Sequence, residues 1–200
     1  GRLVAHVPES GYDGGVSMQI WGHRSDVVPG GLFVDSGGHR FMAEPGLQHA
    51  AHHHAIGFDP GQRRQPRVPA WWVFDRARLD AGPLPPTHSG ATGPLREFVW
   101  SDDNRAEIAR GWIRTADTVG ALAAACGIDA AGLEQSVARY NDACAAGIDA
   151  EFGRPPHTLT PVNEPPYAAI DLWPGGTHTL GGPRRDSAAR VVRPDGSAIG

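Results

Sequence analysis

The stretch Asp117–Gly147, DTVGALAAACGIDAAGLEQSVARYNDACAAG, decides the fold class, because it holds the clearest helices and strand-like runs flank it on both sides. Asp117 or Thr118 stands where a helix N-cap is wanted, Val119 to Cys126 follow, and Gly127 provides a C-cap glycine. Asp129 then caps a longer helix that stops at Gly147. Within it Leu133, Val137, Tyr140 and Cys144 fall at i, i+4, i+7 and i+11, the spacing of a stripe turned to a core.

Upstream, Asp102 or Asp103 starts a short helix through Ile108 and Ala109 to Gly111, and Gly82 to Pro94 is a loop rich in Gly, Pro, Ser and Thr. Ala70-Trp71-Trp72-Val73-Phe74-Asp75 is aromatic and β-branched, which predicts a strand. Leu32 to Asp35, the turn Ser36-Gly37-Gly38 and His39 to Met42 read as a hairpin, ended by Glu44-Pro45. Residues 1–30 read as irregular, with one short strand near Ser17 to Trp21. Downstream, Phe152-Gly153-Arg154-Pro155-Pro156 leads through a Pro-rich stretch to Tyr167. Ala168 to Trp173 reads as a strand, and Ala189 to Arg193 with Pro194-Asp195-Gly196 as a closing hairpin. Strands, then helices, then strands, without β-α-β alternation, predict an α+β fold.

Composition narrows the function classes. The 200 residues are 40% hydrophobic and 20% charged with a net charge of −4, which fits a globular domain and lacks the basic stripe of a nucleic-acid binder. Twenty-seven glycines and 18 prolines are spread without a repeat, so the chain is loop-rich. The longest apolar run, Ala121 to Cys126, is far too short for a membrane span. Cys126 and Cys144 sit in helical stretches and read as small buried hydrophobes of a reducing cytoplasm. Gly1 is not an initiator residue, and Ala198-Ile199-Gly200 lies mid-hairpin, so the sequence reads as a piece of a longer protein.

Two segments carry candidate chemistry. In Gly175-Gly176-Thr177-His178-Thr179-Leu180-Gly181-Gly182-Pro183-Arg184-Arg185, glycine pairs bracket a histidine and two arginines follow. Glycine lets backbone approach a flat ligand, and the histidine supplies a titratable, carboxylate-pairing group; a Gly-rich turn with a solvated histidine is the plainer alternative. In Gln48-His49-Ala50-Ala51-His52-His53-His54, a segment of one or two helical turns, His49, His52 and His53 share a helix face. With no cysteine nearby and no H-E-x-x-H arrangement, no structural metal is expected there. The chain has no G-x-G-x-x-G after a strand, no G-x-x-x-x-G-K-[ST] and no G-x-S-x-G, so no nucleotide phosphate cradle or nucleophile elbow is its own.

Taken in order, several pieces resemble flavoproteins of the fumarate reductase/succinate dehydrogenase type, a group that includes 3-ketosteroid Δ1-dehydrogenases. They are Leu32 to Asp35 with Gly38 to Glu44, Trp112-Ile113, Ala116-Asp117-Thr118, Arg139-Tyr140-Asn141, Gly147-Ile148-Asp149 and Phe152-Gly153-Arg154. Pro166-Tyr167-Ala168, Thr179-Leu180-Gly181-Gly182, and Ala189-Arg190-Val191 with Asp195-Gly196 complete the set. The resemblance implies FAD as cofactor and a hydride moved between flavin and a carbon–carbon bond next to a carbonyl or carboxylate of a small-molecule substrate. It implies a junction with an FAD-binding domain over residues 1–30, a substrate cap over 31–164 and a return into the FAD-binding domain over 165–200. The partner segments at both ends would belong to the same longer chain, and the 200 residues alone would not retain FAD.

Residue by residue, the resemblance gives His178 a substrate-carboxylate role, with Thr179, Gly181 and Gly182 near the flavin. Tyr167 corresponds to a ketone-polarising tyrosine. Gln48 stands where fumarate reductases carry a proton-donating arginine, and His49 beside it could take an acid–base role. Arg184 joins Gln48 and His178 as a substrate-binding candidate. The competing hypothesis is a stand-alone α+β binding module in which the glycine loop and histidine cluster hold a small anion or metal.

Overall fold

The computed structural model describes residues 2–7, 16–18, 30–44, 51–84, 100–175 and 182–199. Its strands are β1 (Arg2–Val7), β2 (Val16–Met18), β3 (Leu32–Val34), β4 (Ala70–Phe74), β5 (Ile113–Ala116) and β6 (Tyr167–Gly175). Its helices are α1 (Ala51–Ala55), α2 (Arg76–Asp80), α3 (Arg105–Ala109), α4 (Val119–Cys126) and α5 (Ala130–Ala146), and Pro156–Thr158 form a 3-10 turn. The described strands form one antiparallel sheet around β6. One edge of β6 pairs with β4, which in turn pairs with β3. Its other edge is shared end to end: β5 pairs with Tyr167 to Ile170, and β1 with Leu172 to Gly175.

Both faces of the sheet are covered, which is why β4 is apolar at every position rather than alternating. Ala70, Trp72 and Phe74 join Phe33, Ile113, Ala168, Ile170 and Leu172 in a core that also takes Ala55, Leu79 and Leu84. Trp71 and Val73 face the other way, where Leu32, Val34 and Ala169 meet Leu122, Ala123, Leu133, Val137 and Tyr140 of α4 and α5. Each fully buried side chain of this size contributes about 1.5–3 kcal/mol.

The helical pair matches the sequence reading. Thr118 Oγ1 accepts the Ala121 N–H at 3.1 Å, Asp129 Oδ1 accepts the Gly132 N–H at 2.8 Å, and Gly127 and Gly147 close the helices in the left-handed region. Leu133, Val137 and Tyr140 are buried, while Cys144 is half-buried at the rim of that core, and neither cysteine is in a disulfide.

Three expectations need correction. Residues 2–7 are not irregular: they form β1, whose Leu3 and Ala5 alternate into the core. The cap of the short helix α3 is Asn104, one residue beyond Asp103 and two beyond Asp102, with Asp103 Oδ1 accepting the Arg105 N–H. The first hairpin has one regular arm only, closed by the Val34–Arg40 bridge. The turn is held by Asp35 Oδ1, which accepts the Gly37 and His39 N–H groups at 2.9 Å, and by contact with α5. A Cβ on Gly132 would lie 1.9 Å from the Gly37 carbonyl oxygen, and one on Gly38 2.2 Å from the Leu133 nitrogen, so neither position admits a side chain. The Ser36 carbonyl accepts the Asp129 N–H at 3.1 Å, completing the join.

Candidate functional site

Residues from four of the motif-like pieces converge in a buried charge network under the first hairpin. The Arg40 guanidinium forks onto Glu44, Nε to Oε1 at 2.8 Å and Nη2 to Oε2 at 2.9 Å, and Nη2 also donates to Asp149 Oδ2 at 2.8 Å. Arg154 Nη1 donates to Glu44 Oε2 at 3.0 Å and to the Gly31 carbonyl at 2.7 Å. Its Nε and Nη2 reach Thr158 Oγ1 and the Thr158 carbonyl. The Phe33 N–H gives Glu44 a further donor at 3.1 Å. The four charged side chains are at most 5% exposed. Both guanidiniums approach the Tyr140 ring, Arg40 at 5.2 Å and Arg154 at 5.4 Å from its centre, and the Phe152 ring stands 4.9 Å from Arg40.

Two cations face two carboxylates, so formal charge cancels where water is excluded. Burial works against the charged form of Asp149 and is outweighed by hydrogen bonds from Arg40 and the Arg154 N–H, which hold its carboxyl below the ordinary value. Burial likewise opposes the Arg40 charge, and Glu44 and Asp149 overcome it, pushing its pKa up. Burial raises the Tyr140 phenol. A network of this kind orients backbone; it has no proton to give near neutrality through Arg40 or Asp149.

Two further clamps fix the approach to β6. Asp75 Oδ2, at the end of β4, accepts the N–H groups of Asn163 and Glu164 at 2.9 and 3.1 Å. Asn141 on α5 pairs both ways with the backbone of Val162, at 2.9 and 2.8 Å. Tyr167 therefore opens β6 from a held position, half-buried against the α4–α5 cluster. It stands eight residues before Gly175, roughly 26 Å along a strand.

Gly182 has φ +121°, in the left-handed region that favours glycine. Arg184 is exposed, and its carbonyl accepts the Val192 N–H at 2.9 Å. Gln48, His49, His178, Thr179 and Gly181 lie outside the described residues. The candidates Tyr167, Gly182 and Arg184 are described: Tyr167 is the first residue of β6, and the other two follow its last residue, Gly175, along the chain. Of the histidine segment, His53 and His54 are exposed on α1, and His52 is half-buried with burial lowering its pKa. Among the described residues no group of three His, Cys, Asp or Glu is arranged to hold a metal ion, and no helix is long and apolar enough to cross a membrane.

Arg40, Glu44, Tyr140, Asp149 and Arg154 belong to separate pieces of the flavoprotein-like pattern, and nothing in their spacing joins them. The available signal was chemical: two arginines and two acids bordering apolar runs in a chain only 20% charged.

The family described as "FAD binding domain" matches residues 18–200. A 3-oxosteroid 1-dehydrogenase of Mycobacterium tuberculosis is 33% identical over 188 residues, 86% of this chain and 32% of that protein. A fumarate reductase (cytochrome) of Shewanella frigidimarina is 36% identical over 108 residues, 50% of this chain and 19% of its own length. The solved 3-ketosteroid Δ1-dehydrogenase of Sterolibacterium denitrificans, in complex with 1,4-androstadiene-3,17-dione, superimposes with a TM-score of 0.68 at 28% identity. That likeness covers 99% of this chain and 35% of the other. The chain thus spans about a third of the length of the dehydrogenases it matches, and FAD is the cofactor these matches indicate. With this likeness along its length, the chain belongs to the FAD-binding-domain family of flavoprotein oxidoreductases.

Proposed function

We propose that this chain is part of an FAD-dependent oxidoreductase that moves a hydride between flavin and a carbon–carbon bond next to a carbonyl or carboxylate. One observation carries the reading. The same chain is similar to a 3-oxosteroid 1-dehydrogenase and to a fumarate reductase, whose named substrates share little except a carbon–carbon bond adjoining a carbonyl or carboxylate carbon. FAD supplies the hydride chemistry, and the protein supplies orientation and charge stabilisation.

In this reading residues 31–164 are the substrate cap, residues 1–30 its junction, and residues 165–200 the return toward the flavin. Gly182, with Thr179 and Gly181, holds backbone close to the ring. His178 and Arg184 hold an anionic or carbonyl group, with Gln48 beside them, while Tyr167 and His49 serve acid–base or carbonyl-polarising roles. Charge-assisted hydrogen bonds suit a substrate on which negative charge grows as hydride leaves or arrives.

The test is expression of the complete reading frame, followed by flavin content after desalting and by turnover with fumarate and 4-androstene-3,17-dione as probes. The expected result is a bound flavin and turnover with one probe. In that protein His178→Ala is expected to lower the rate by about a hundredfold at unchanged flavin content. A His178→Ala rate within a few-fold of the parent, or a complete protein without flavin, overturns the corresponding part. The 200 residues alone are expected to retain no FAD, since the pyrophosphate needs a Gly-rich turn at a helix N-terminus.

A further inference from the structure

Residues 56–67 stand clear of both cores. Every residue from Ile56 to Gln65 except Asp59 is exposed, Phe58 at 62% and Ile56 at 38%. The loop is nonetheless tied into one shape. The Asp59 and Arg64 backbones exchange hydrogen bonds at 2.9 and 3.3 Å, and Gln65 Nε2 donates to the Ile56 carbonyl at 3.0 Å. Arg67 Nη1 donates to the His54 carbonyl at 2.7 Å, and its guanidinium lies 4.9 Å from the centre of the buried Phe41 ring. Ile56 and Phe58 therefore stand in water on a braced loop rather than folding back onto the core.

Charge accompanies them. The loop carries Arg63, Arg64 and Arg67 against a single acid, Asp59, in a chain whose net charge is −4. That acid is turned onto the loop itself: Oδ1 accepts the Gly61 and Gln62 N–H groups at 2.8 and 3.0 Å, and Oδ2 accepts Gln62 Nε2 at 3.1 Å. Arg63 and Arg64 remain exposed, Arg63 with φ +52° in the left-handed region. Phe58 adjoins Asp59 and Arg64 pairs with it, so apolar and cationic side chains share one tied loop.

We propose that residues 56–67 form a peripheral contact for an anionic lipid surface, with Phe58 and Ile56 entering the headgroup layer and Arg63 and Arg64 meeting lipid phosphates. Two apolar side chains are too few for the buried centre of a protein–protein interface, which takes roughly 800 Å² from each partner. A bilayer surface accepts single apolar side chains beside cations, because headgroups rearrange around them and anionic lipids attract the arginines. The inference stands apart from the redox reading.

The complete protein is the one to test, because a loop covered there would not bind. Cosedimentation with vesicles of phosphatidylcholine and phosphatidylglycerol in equal parts, against phosphatidylcholine alone, reads the contact. Binding is expected to the anionic vesicles and is expected to weaken as salt is raised. Phe58→Ser should lower the affinity about fivefold or more, and Arg63→Glu with Arg64→Glu about tenfold or more. Ile148→Ser, at a residue 66% exposed two positions beyond α5, should leave it unchanged. All these positions are exposed, so thermal unfolding midpoints should stay with the parent and show that each variant is folded. No binding of the complete protein to the anionic vesicles, or equal binding to phosphatidylcholine alone, overturns the proposal. So does binding that the loop variants leave at the parent level. Binding that follows the arginines and ignores Phe58 overturns the lipid reading as well, and points to an acidic macromolecule instead.

Discussion

The buried network and the terminal stretch 182–199 both contain arginine–carboxylate pairs, and they are opposites in what those pairs connect. In the network, single hydrogen bonds join positions 109, 110 and 123 residues apart. In the terminal stretch the side-chain bonds are local: Arg190 to Asp186, Arg193 to Ala198, and Ser197 to Asp195. Arg190 and Asp186 are 2.8 Å apart but 66% and 25% exposed, so water competes for both. Equal distances thus carry different weights. A pair sealed from water between distant segments is a structural constraint, whereas an exposed pair within one turn constrains little beyond that turn.

The comparison breaks first at Arg154. Arg154→Ala leaves Glu44 and the Gly31 and Thr158 acceptors short of donors inside the protein, and a loss of about 3–5 kcal/mol is expected from chemical denaturation. A loss near that of an exposed arginine would mean that the buried network constrains no more than the terminal stretch does.

Asp149→Asn is next, with an expected cost of about 1.5–3 kcal/mol at pH 7. Its pH dependence sharpens the test. Because the folded-state pKa of Asp149 lies below its unfolded value, its contribution is present above the unfolded pKa. It is lost as pH falls through the folded value, so denaturation midpoints of the parent and Asp149→Asn should converge on acidification from pH 5 to pH 2.

Gly132→Ala probes the hairpin–helix contact. The new methyl would meet the Gly37 carbonyl oxygen, and separating the two segments should cost roughly 1–2 kcal/mol, read from the shift in urea midpoint. The smallest effect is expected at Arg190→Ala, where the midpoint should not move measurably and the remaining signal should be a loss of salt dependence. A clear destabilisation there would mean that the terminal stretch is a constraint like the network.

Much of the fold was legible because it is written in local rules. Thr118, Gly127, Asp129 and Gly147 act as caps through contacts within four residues, and the run from Ala70 to Phe74 needs burial on both faces wherever it lies. β1 was missed although Leu3 and Ala5 alternate, since a six-residue strand among glycines and a proline carries a weak pattern. α2 gave no signal either, being five residues with one buried side chain, Leu79. Asn104 shows the same limit. Fully buried, it accepts from the Leu84 N–H and Trp100 Nε1 and donates to the carbonyls of Leu79 and Gly82, four partners that no spacing rule connects.

The candidate site divides along the same line. By itself the sequence determined the α+β class, the two capped helices, the central apolar strands and the likeness to flavoproteins, because each depends on neighbours along the chain or on ordered motifs. Only the tertiary structure decided that Arg40, Glu44, Asp149 and Arg154 form one network and that Gly37-Gly38 packs on Gly132. The physical reason is that ion pairing and close packing act through space. Their strength is set by burial, which the chain acquires only when distant segments have come together.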